Sequence, residues 1–294
     1  MPLYFTKPRR WPPSRPVQFA LAILAMLFAM TLLALWLFMG YRSNKEPTQS
    51  NDNAASSAPA ETLADSSGLL LILNEKGHEQ FILIHAAPAK SRMTVVPLPA
   101  HTEVTGGSTL TETYRKSGAG QAQQSVAQLL DLPIKHHLVL STSAALSYFE
   151  QLDKGLTFTV PEDITYTDKN GAHVKLTAGK KELTAGQMAA LLQYNEWQSS
   201  ENALYVAPDL MAALLNQYLT PGRSMDGHFA AIANVAQTDL RIDHFNAYRA
   251  TLTHFAAKNQ GNLCRRTTLN GTTTGDRFIP DIADFQENGD LYAE

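Results

Sequence analysis

The pattern of apolar and polar positions divides the chain into contrasting stretches. From Val17 to Met39 run 23 residues without a charge, with only Gln18 and Thr31 polar. At about 1.5 Å per residue such a helix crosses a hydrocarbon layer of roughly 30 Å. A cleaved signal peptide would have a shorter apolar region and small residues at its exit, whereas Trp36, Leu37, Phe38, Met39 and Tyr41 crowd this one, which predicts an uncleaved anchor. Residues 43–67 are Ser, Ala, Asn and Pro with almost no large apolar side chain, so nothing offsets the entropy of ordering them and a flexible stalk is expected.

Beyond the stalk the apolar runs become short: LLLIL at 69–73, FILIH at 81–85 and MTVVPL at 93–98, three predicted strands bounded by turn-forming and charged residues. Gln121–Leu132 has apolar residues at helical spacing, HLVLS at 137–141 reads as a buried strand, and Ala144, Leu146, Phe149 and Leu152 mark a helix after it. LTFTVP at 156–161, ITYTD, and HVKLTAG at 173–179 suggest a meander turning at Asn170-Gly171. Leu183–Tyr194, Leu210–Leu219, Phe229–Val235 and Ile242–Ala257 carry helical spacing. Strands alternating with helices predict an α/β fold, a mixed central β-sheet flanked by helices, behind one N-terminal transmembrane helix. The expected organisation is a tail over 1–16, the membrane helix over 17–40, the stalk over 41–67 and a single domain over 68–294.

Charge sets the orientation. Six of the 24 Lys and Arg residues precede Glu46, four of them before the apolar span, which leaves 18 against 27 acidic residues in the rest of the chain, a net of −9. The basic bias predicts a cytoplasmic N-terminus and an extracytoplasmic domain on a single-pass cell-membrane protein. An acidic domain also argues against nucleic acid as a partner, since phosphate neutralisation needs concentrated Lys and Arg.

Common chemical signatures are missing: the chain has no GxSxG elbow, Walker loop, GxGxxG fingerprint or HExxH pair. Gly106-Gly107-Ser108 reads as a loop. His136 and His137, adjacent on a predicted strand, should point to opposite faces, and His78, His85 and His101 follow no zinc spacing, so no metal site is expected from histidine. Cys264, followed by Arg265 and Arg266, reads either as a reactive thiolate or as a buried inert thiol. Asn270-Gly271-Thr272 is both a glycosylation sequon and a hairpin turn signal.

The succession of segments after the stalk resembles the LytR-CpsA-Psr (LCP) family, membrane-anchored bacterial proteins that transfer polyprenyl-pyrophosphate-linked glycopolymers onto the cell wall. PAKSRMTVVPLPAHT at 88–102 runs against that family's proline, basic turn, strand and SIPRDT motif. LLDLPIKHHLVLS at 129–141 matches its helix end, turn and next strand, and FTVPEDITYTD is similar to its V-x-V-P-E-D-M-x-Y-x-D, with Pro161, Glu162, Asp163, Tyr166 and Asp168 retained. LTAGKKELTAGQMAALL resembles the segment leading into the family's arginine pair, and Gly275–Asp281 resembles a turn and strand near its C-terminus. The resemblance implies an LCP-like extracytoplasmic domain with a hydrophobic tunnel for a polyprenyl tail between sheet and helices.

At the family's charged positions this sequence departs. The arginine and aspartate of SIPRDT fall at Ala100 and His101, the arginine pair at Gln193 and Asn195, and a later R-x-x-R-Q block on Leu204 and Ala207-Pro208. A second-strand aspartate becomes Glu79, and the first-strand G-x-D-x-R survives only as Leu73-Asn74-Glu75-Lys76. Phosphoryl transfer is mostly charge stabilisation and positioning, and amides cannot replace guanidinium forks. The resemblance therefore leads to a catalytically degenerate LCP-like envelope protein with a binding or structural role in cell-wall glycopolymer assembly. Its candidate ligand-binding residues are Glu79, His101, Tyr114, Arg115, Gln193 and Asn195, its partners the membrane and a polyprenyl lipid or cell-wall glycopolymer, and it needs no cofactor. The alternative is an active phosphotransferase in which Glu79 and Asp168 hold Mg²⁺ while Arg115, Lys116 and Lys76 face the pyrophosphate. A third reading is an envelope sensor or regulator, although no DNA-binding motif accompanies it.

Overall fold

The computed structural model describes residues 63–74, 77–167, 173–222 and 225–288. The predicted anchor, most of the stalk, Glu75, Lys76, Asp168 and the Asn170-Gly171 turn lie outside the described residues, among which no helix is long and apolar enough to cross a membrane. In chain order the elements are β1 (Ser66–Leu73), β2 (Glu79–Ala87), β3 (Arg92–Leu98), α1 (Leu110–Leu130), β4 (Ile134–Ser141), α2 (Thr142–Phe149), β5 (Leu156–Val160), β6 (Ile164–Thr167), β7 (His173–Leu176) and β8 (Gly179–Leu183). There follow α3 (Ala185–Gln193), α4 (Ser200–Tyr218), α5 (Met225–Val235), β9 (Gln237–Thr238), α6 (Ile242–Lys258), β10 (Cys264–Arg266), β11 (Gly271–Thr274), β12 (Arg277–Pro280) and α7 (Ile282–Asn288).

Six strands form one sheet in the order β10-β3-β2-β1-β4-β9. β2 is antiparallel to β1 and β3, whereas β4 is parallel to β1 and β10 parallel to β3, so the sheet is mixed as expected. Both faces are covered, which is why the central strands read as continuous apolar runs. Leu70, Ile72, Ile82 and Val95 pack with Leu191, Leu210 and Phe255 from the helices on one face. Leu69, Leu71, Phe81 and Val96 pack with Val126, Leu130 and Phe285 on the other.

Several boundaries move. Ser66 and Ser67, assigned to the stalk, already belong to β1 and oppose Ala86 and His85. β3 continues through Pro97, opposite Ile82. Met93 and Val95 direct their backbone groups toward β10, so by alternation Pro97 turns its missing N–H to the same side, beyond the end of β10, where no donor is required. The expected meander is instead two nested pairs, β5 with β8 and β6 with β7, because the 173–179 segment contains two strands, with Gly179 at φ 104° beginning the second. Asn270-Gly271 is not the turn of the C-terminal hairpin: Gly271 opens β11 against Pro280, and the turn falls at Gly275, with φ 63°.

α1 begins eleven residues before its predicted start. Thr109 accepts from the Glu112 N–H at 3.2 Å while the Glu112 carboxylate accepts from the Thr109 N–H at 2.7 Å, a reciprocal cap worth about 1 kcal/mol. Gly118, at φ 82° and ψ −179°, breaks the helix internally. α4 likewise starts ten residues early and carries Pro208 in its interior. His136 and His137 do face opposite ways, His136 against His244 and Tyr248 of α6 and His137 toward Gln123 of α1. The Asp239 carboxylate just after β9 approaches both rings, at 3.6 and 3.5 Å.

Candidate ligand cleft

At one end of the sheet, β1 finishes, β2 starts and β3 runs into a turn. There the α3–α4 link, the first half of α4 and the β11–β12 hairpin close around a cleft of about 540 Å³. Pro99–Thr102 forms a hydrogen-bonded turn in which the buried Thr102 hydroxyl and N–H both bond to the Pro99 carbonyl, at 2.7 and 2.9 Å. Ala100 and His101 occupy its middle, and the carbonyl of Ala100 accepts from Thr111 N–H. The His101 carbonyl accepts from Phe278 N–H, and its ring meets Phe278 edge-on at 6.3 Å.

Glu79, Ala100, His101 and Asn195, which are distant in sequence, all line this cleft. Tyr114 and Arg115 approach Glu79 from α1. The Arg115 guanidinium grips its carboxylate through Nε at 2.7 Å and Nη2 at 3.0 Å, Nη2 also meets the Gly77 carbonyl at 2.8 Å, and the Thr111 hydroxyl adds a bond at 3.3 Å. That hydrogen bond and the charge behind it raise the Arg115 pKa. Burial, then the Glu79 carboxylate, raises that of the Tyr114 phenol, whose ring packs edge-on against Phe81. Gln193 does not join them: it is buried as the last residue of α3, accepting from the Thr142 hydroxyl at 2.6 Å. Leu204 and Pro208 line the cleft, while Ala207 packs into the core.

The α3–α4 link carries side chains that the sequence pattern did not single out. The Tyr194 hydroxyl donates to the Glu196 carbonyl, Trp197 Nε1 donates to the Tyr194 carbonyl at 3.0 Å, and the two rings meet edge to face at 4.8 Å. Glu162, of the retained P-E-D motif, accepts from Gln198 N–H at 2.8 Å and from the Asn202 amide at 2.6 Å. Its role here is to fasten this link. Tyr205 is held by Arg266, whose guanidinium lies 3.9 Å from the ring centroid and pairs with Asp209 at 2.7 Å. No single-sequence signal separates Trp197 from an ordinary rim residue; only the folded link does.

Among the described residues lining the cleft there is no lysine or arginine; its ionisable groups are His78, Glu79, His101, Glu201 and two tyrosines. Magnesium does not fit this donor set. Both oxygens of Glu79 are engaged by Arg115 and Thr111, and a hard cation needs several free oxygen ligands. No group of three metal-ligating side chains occurs among the described residues.

A second cavity, of about 290 Å³, opens at the other end of the same sheet face, with Leu70, Ile84, Met93, Phe229, Leu252 and Phe255 in its wall. Along β1, Leu70 lines this cavity and Asn74 the cleft, and the fully buried Ile72 stands between them. The face that the resemblance would give to a tunnel thus holds two spaces parted by packed side chains.

Solved structures share this architecture. A putative transcription regulator from Eubacterium siraeum superposes with a TM-score of 0.69 at 17% identity, over 82% of this chain and 97% of its own. TagV of Bacillus subtilis gives 0.63 at 16%, over 78% and 98%, and TagT bound to LI-WTA gives 0.58 at 15%, over 77% and 90%. No curated protein matches. At such identities the likeness speaks for the fold. The sequence profile of the LytR_cpsA_psr family, however, matches residues 78–274, from the strand that carries Glu79 through the hairpin that closes the cleft, and on that match the chain belongs to the LytR-CpsA-Psr family.

Proposed function

We propose that this LCP protein binds rather than transfers: anchored in the cell membrane by the 17–39 segment with its domain outside, it serves cell-wall glycopolymer assembly without phosphotransferase activity. One observation carries the reading. Among the described residues, the cleft built from the family's charged positions has no lysine or arginine in its lining, and Arg115, the guanidinium beside it, is committed to Glu79. A pyrophosphate there would meet Ala100, Leu204 and Pro208 in place of charge-assisted donors, each worth roughly 1.5–3 kcal/mol. Losing even one preorganised charge partner commonly costs about a hundredfold in rate. The apolar cavity beyond Ile72 supports a lipid partner for the same domain, consistent with a TagT structure that holds LI-WTA.

The test uses the full chain in detergent with a radiolabelled polyprenyl-pyrophosphate-linked glycopolymer, a cell-wall glycan as acceptor, and Mg²⁺ or Mn²⁺. Retention of the glycopolymer on the protein without release of polyprenyl phosphate is expected. Metal-dependent turnover abolished by Glu79→Gln would establish the phosphotransferase alternative instead. Protease added outside intact cells should release the domain by cutting within 43–67, and protection until lysis would refute the orientation.

A further inference from the structure

Helix α6 covers the apolar cavity of about 290 Å³ with Phe245, Tyr248, Leu252 and Phe255, while His136 and Leu138 of β4 line its facing edge. The first half of α6 reaches β4 through one side chain. His136 stacks on His244 with ring centroids 4.6 Å apart and planes tilted by 34°, and Tyr248 meets the same ring edge-on at 5.8 Å. Otherwise this half rests on α5, where Phe245 stacks on Phe229 at 4.2 Å and Arg249 makes an exposed pair with Asp226 at 2.8 Å. His136 Nδ1 is buried without a hydrogen bond, the nearer Asp239 oxygen standing off at 3.6 Å. That carboxylate is engaged with β4 through His137 N–H, at 2.9 Å. A neutral imidazole tolerates such a place, but a charged one gives up hydration there without a full hydrogen bond in return.

The surrounding charges act in the same direction. His136 has Lys135 beside it on β4, Asp239 facing it from the β9–α6 turn, and His244 and Tyr248 from α6, while β1 brings only Gly68 opposite it. His137 points away, toward Gln123 of α1. At the start of α6, Arg241 and Asp243 pair with each other at 3.1 Å. A proton on each stacked ring would therefore set two cations in contact, with Lys135 adding to them and Asp239 alone to answer them. From this geometry we infer that the His136–His244 stack is an acid-released latch: with both rings neutral it holds the first half of α6 against β4, and protonation of the pair parts them and opens the wall of the apolar cavity. Parted rings stand in water and accept protons that the stacked pair refuses, so acid favours the open form. Burial already works against the proton on His136, more strongly than Asp239 offsets it, so release sets in as the pH falls through the ordinary imidazole value of 6.5. The helix need not unfold, because Phe255 and Ala256 stay buried in the core and keep its second half in place. The latch governs access to the cavity and stands apart from the binding function proposed above.

Hydroxyl-radical footprinting of the full chain in detergent, read residue by residue by mass spectrometry at about pH 7.5 and about pH 5.5, tests the latch. Met93 lines the cavity while only 6% exposed. Met93, Phe245 and Tyr248 should oxidise about threefold faster or more at the lower pH, whereas Phe81 and Phe285, in the core on the other face of the sheet, should not change. His136→Gln and His244→Gln should each abolish the rise, since one cation has no like charge to repel. Asp239→Asn should enlarge it, because the amide can still accept from His137 N–H but no longer shelters a charged ring. If a glutamine variant exposes Met93 already at neutral pH, His244→Phe, which keeps an uncharged ring on the stack, carries the same expectation. An equal rise at Phe81 and Phe285 would mean that acid loosens the whole domain and would overturn the latch. So would a rise that survives both His244→Gln and His244→Phe, or no rise in the wild-type chain.

Discussion

Asn216 performs the work of a missing strand. Its Oδ1 accepts from Cys264 N–H at 2.7 Å and its Nδ2 donates to the Cys264 carbonyl at 2.9 Å, so one amide satisfies the edge of β10 as a neighbouring backbone would. Asn216→Ala leaves both groups unmet in a partly buried setting. A loss of about 1–3 kcal/mol is expected, read as a lower urea midpoint, and a midpoint equal to wild type would remove this role. Cys264 itself is buried, and burial pushes its thiol up to about 12; of the two readings that its sequence context left open, the inert one holds. Residue-level legibility followed the strands. Glu79, Ala100 and His101 are legible through the resemblance to the LCP motifs, whose alignment is fixed there by the apolar strands that end at the cleft. Gln193 misled because it is the last helical residue of α3 while Asn195 lies in the extended link, so two positions close in sequence face different surroundings. Trp197 lies outside any motif: its partner Tyr194 is only three residues away, but the folded link alone sets the two rings edge to face.

Helix α1 shows what periodicity reads and what it misses. Its second half, with Ala122, Val126 and Leu130 buried, has the apolar spacing that marked a helix in the sequence. Its first half carries Thr111, Tyr114 and Arg115 over Glu79 and has little apolar stripe to detect, so only its cap and its contacts define it. Gly118 separates the halves in a conformation open to glycine. In an ordinary helix Gly→Ala stabilises by about 1 kcal/mol. Here Gly118→Ala meets no neighbouring atom within 4 Å, yet it should destabilise by about 1–3 kcal/mol through backbone strain alone. A rise in unfolding temperature would show that α1 straightens without cost. The nested pairing of β5 with β8 was hidden for a related reason. A meander and nested hairpins share the same alternating pattern, and only the strand register tells them apart.

For the molecule as a whole, burial lowers the pKa of His85, against an opposing pull from Asp65, and that of His136, against Asp239. The unfolded chain takes up protons on these rings near 6.5 while the folded domain resists them. Stability is therefore full above that value and declines as the pH falls through it toward the folded-state pKa. Urea midpoints measured from about pH 7.5 down to about 5.5 should fall, with a shallower slope in the His85→Gln/His136→Gln double variant; an unchanged slope would mean that other groups govern the acid limb. The sequence conveyed the class of this architecture, a mixed sheet between helices, because its central strands are apolar on both faces. It did not convey β9 and β10, since two or three residues are too few to carry a period.

The shortness of those flanking strands has a consequence for the chain at high concentration. LLLIL and FILIH have the composition of segments that stack into fibrils when their edges are bare. In this fold they lie inside a sheet whose margins are a two-residue and a three-residue strand, and the Asn216 amide already occupies the Cys264 backbone on one margin. A second molecule approaching laterally at β9 or β10 would find only a two-residue or three-residue strand to extend. At those two margins the domain is a poor template for growth of the sheet.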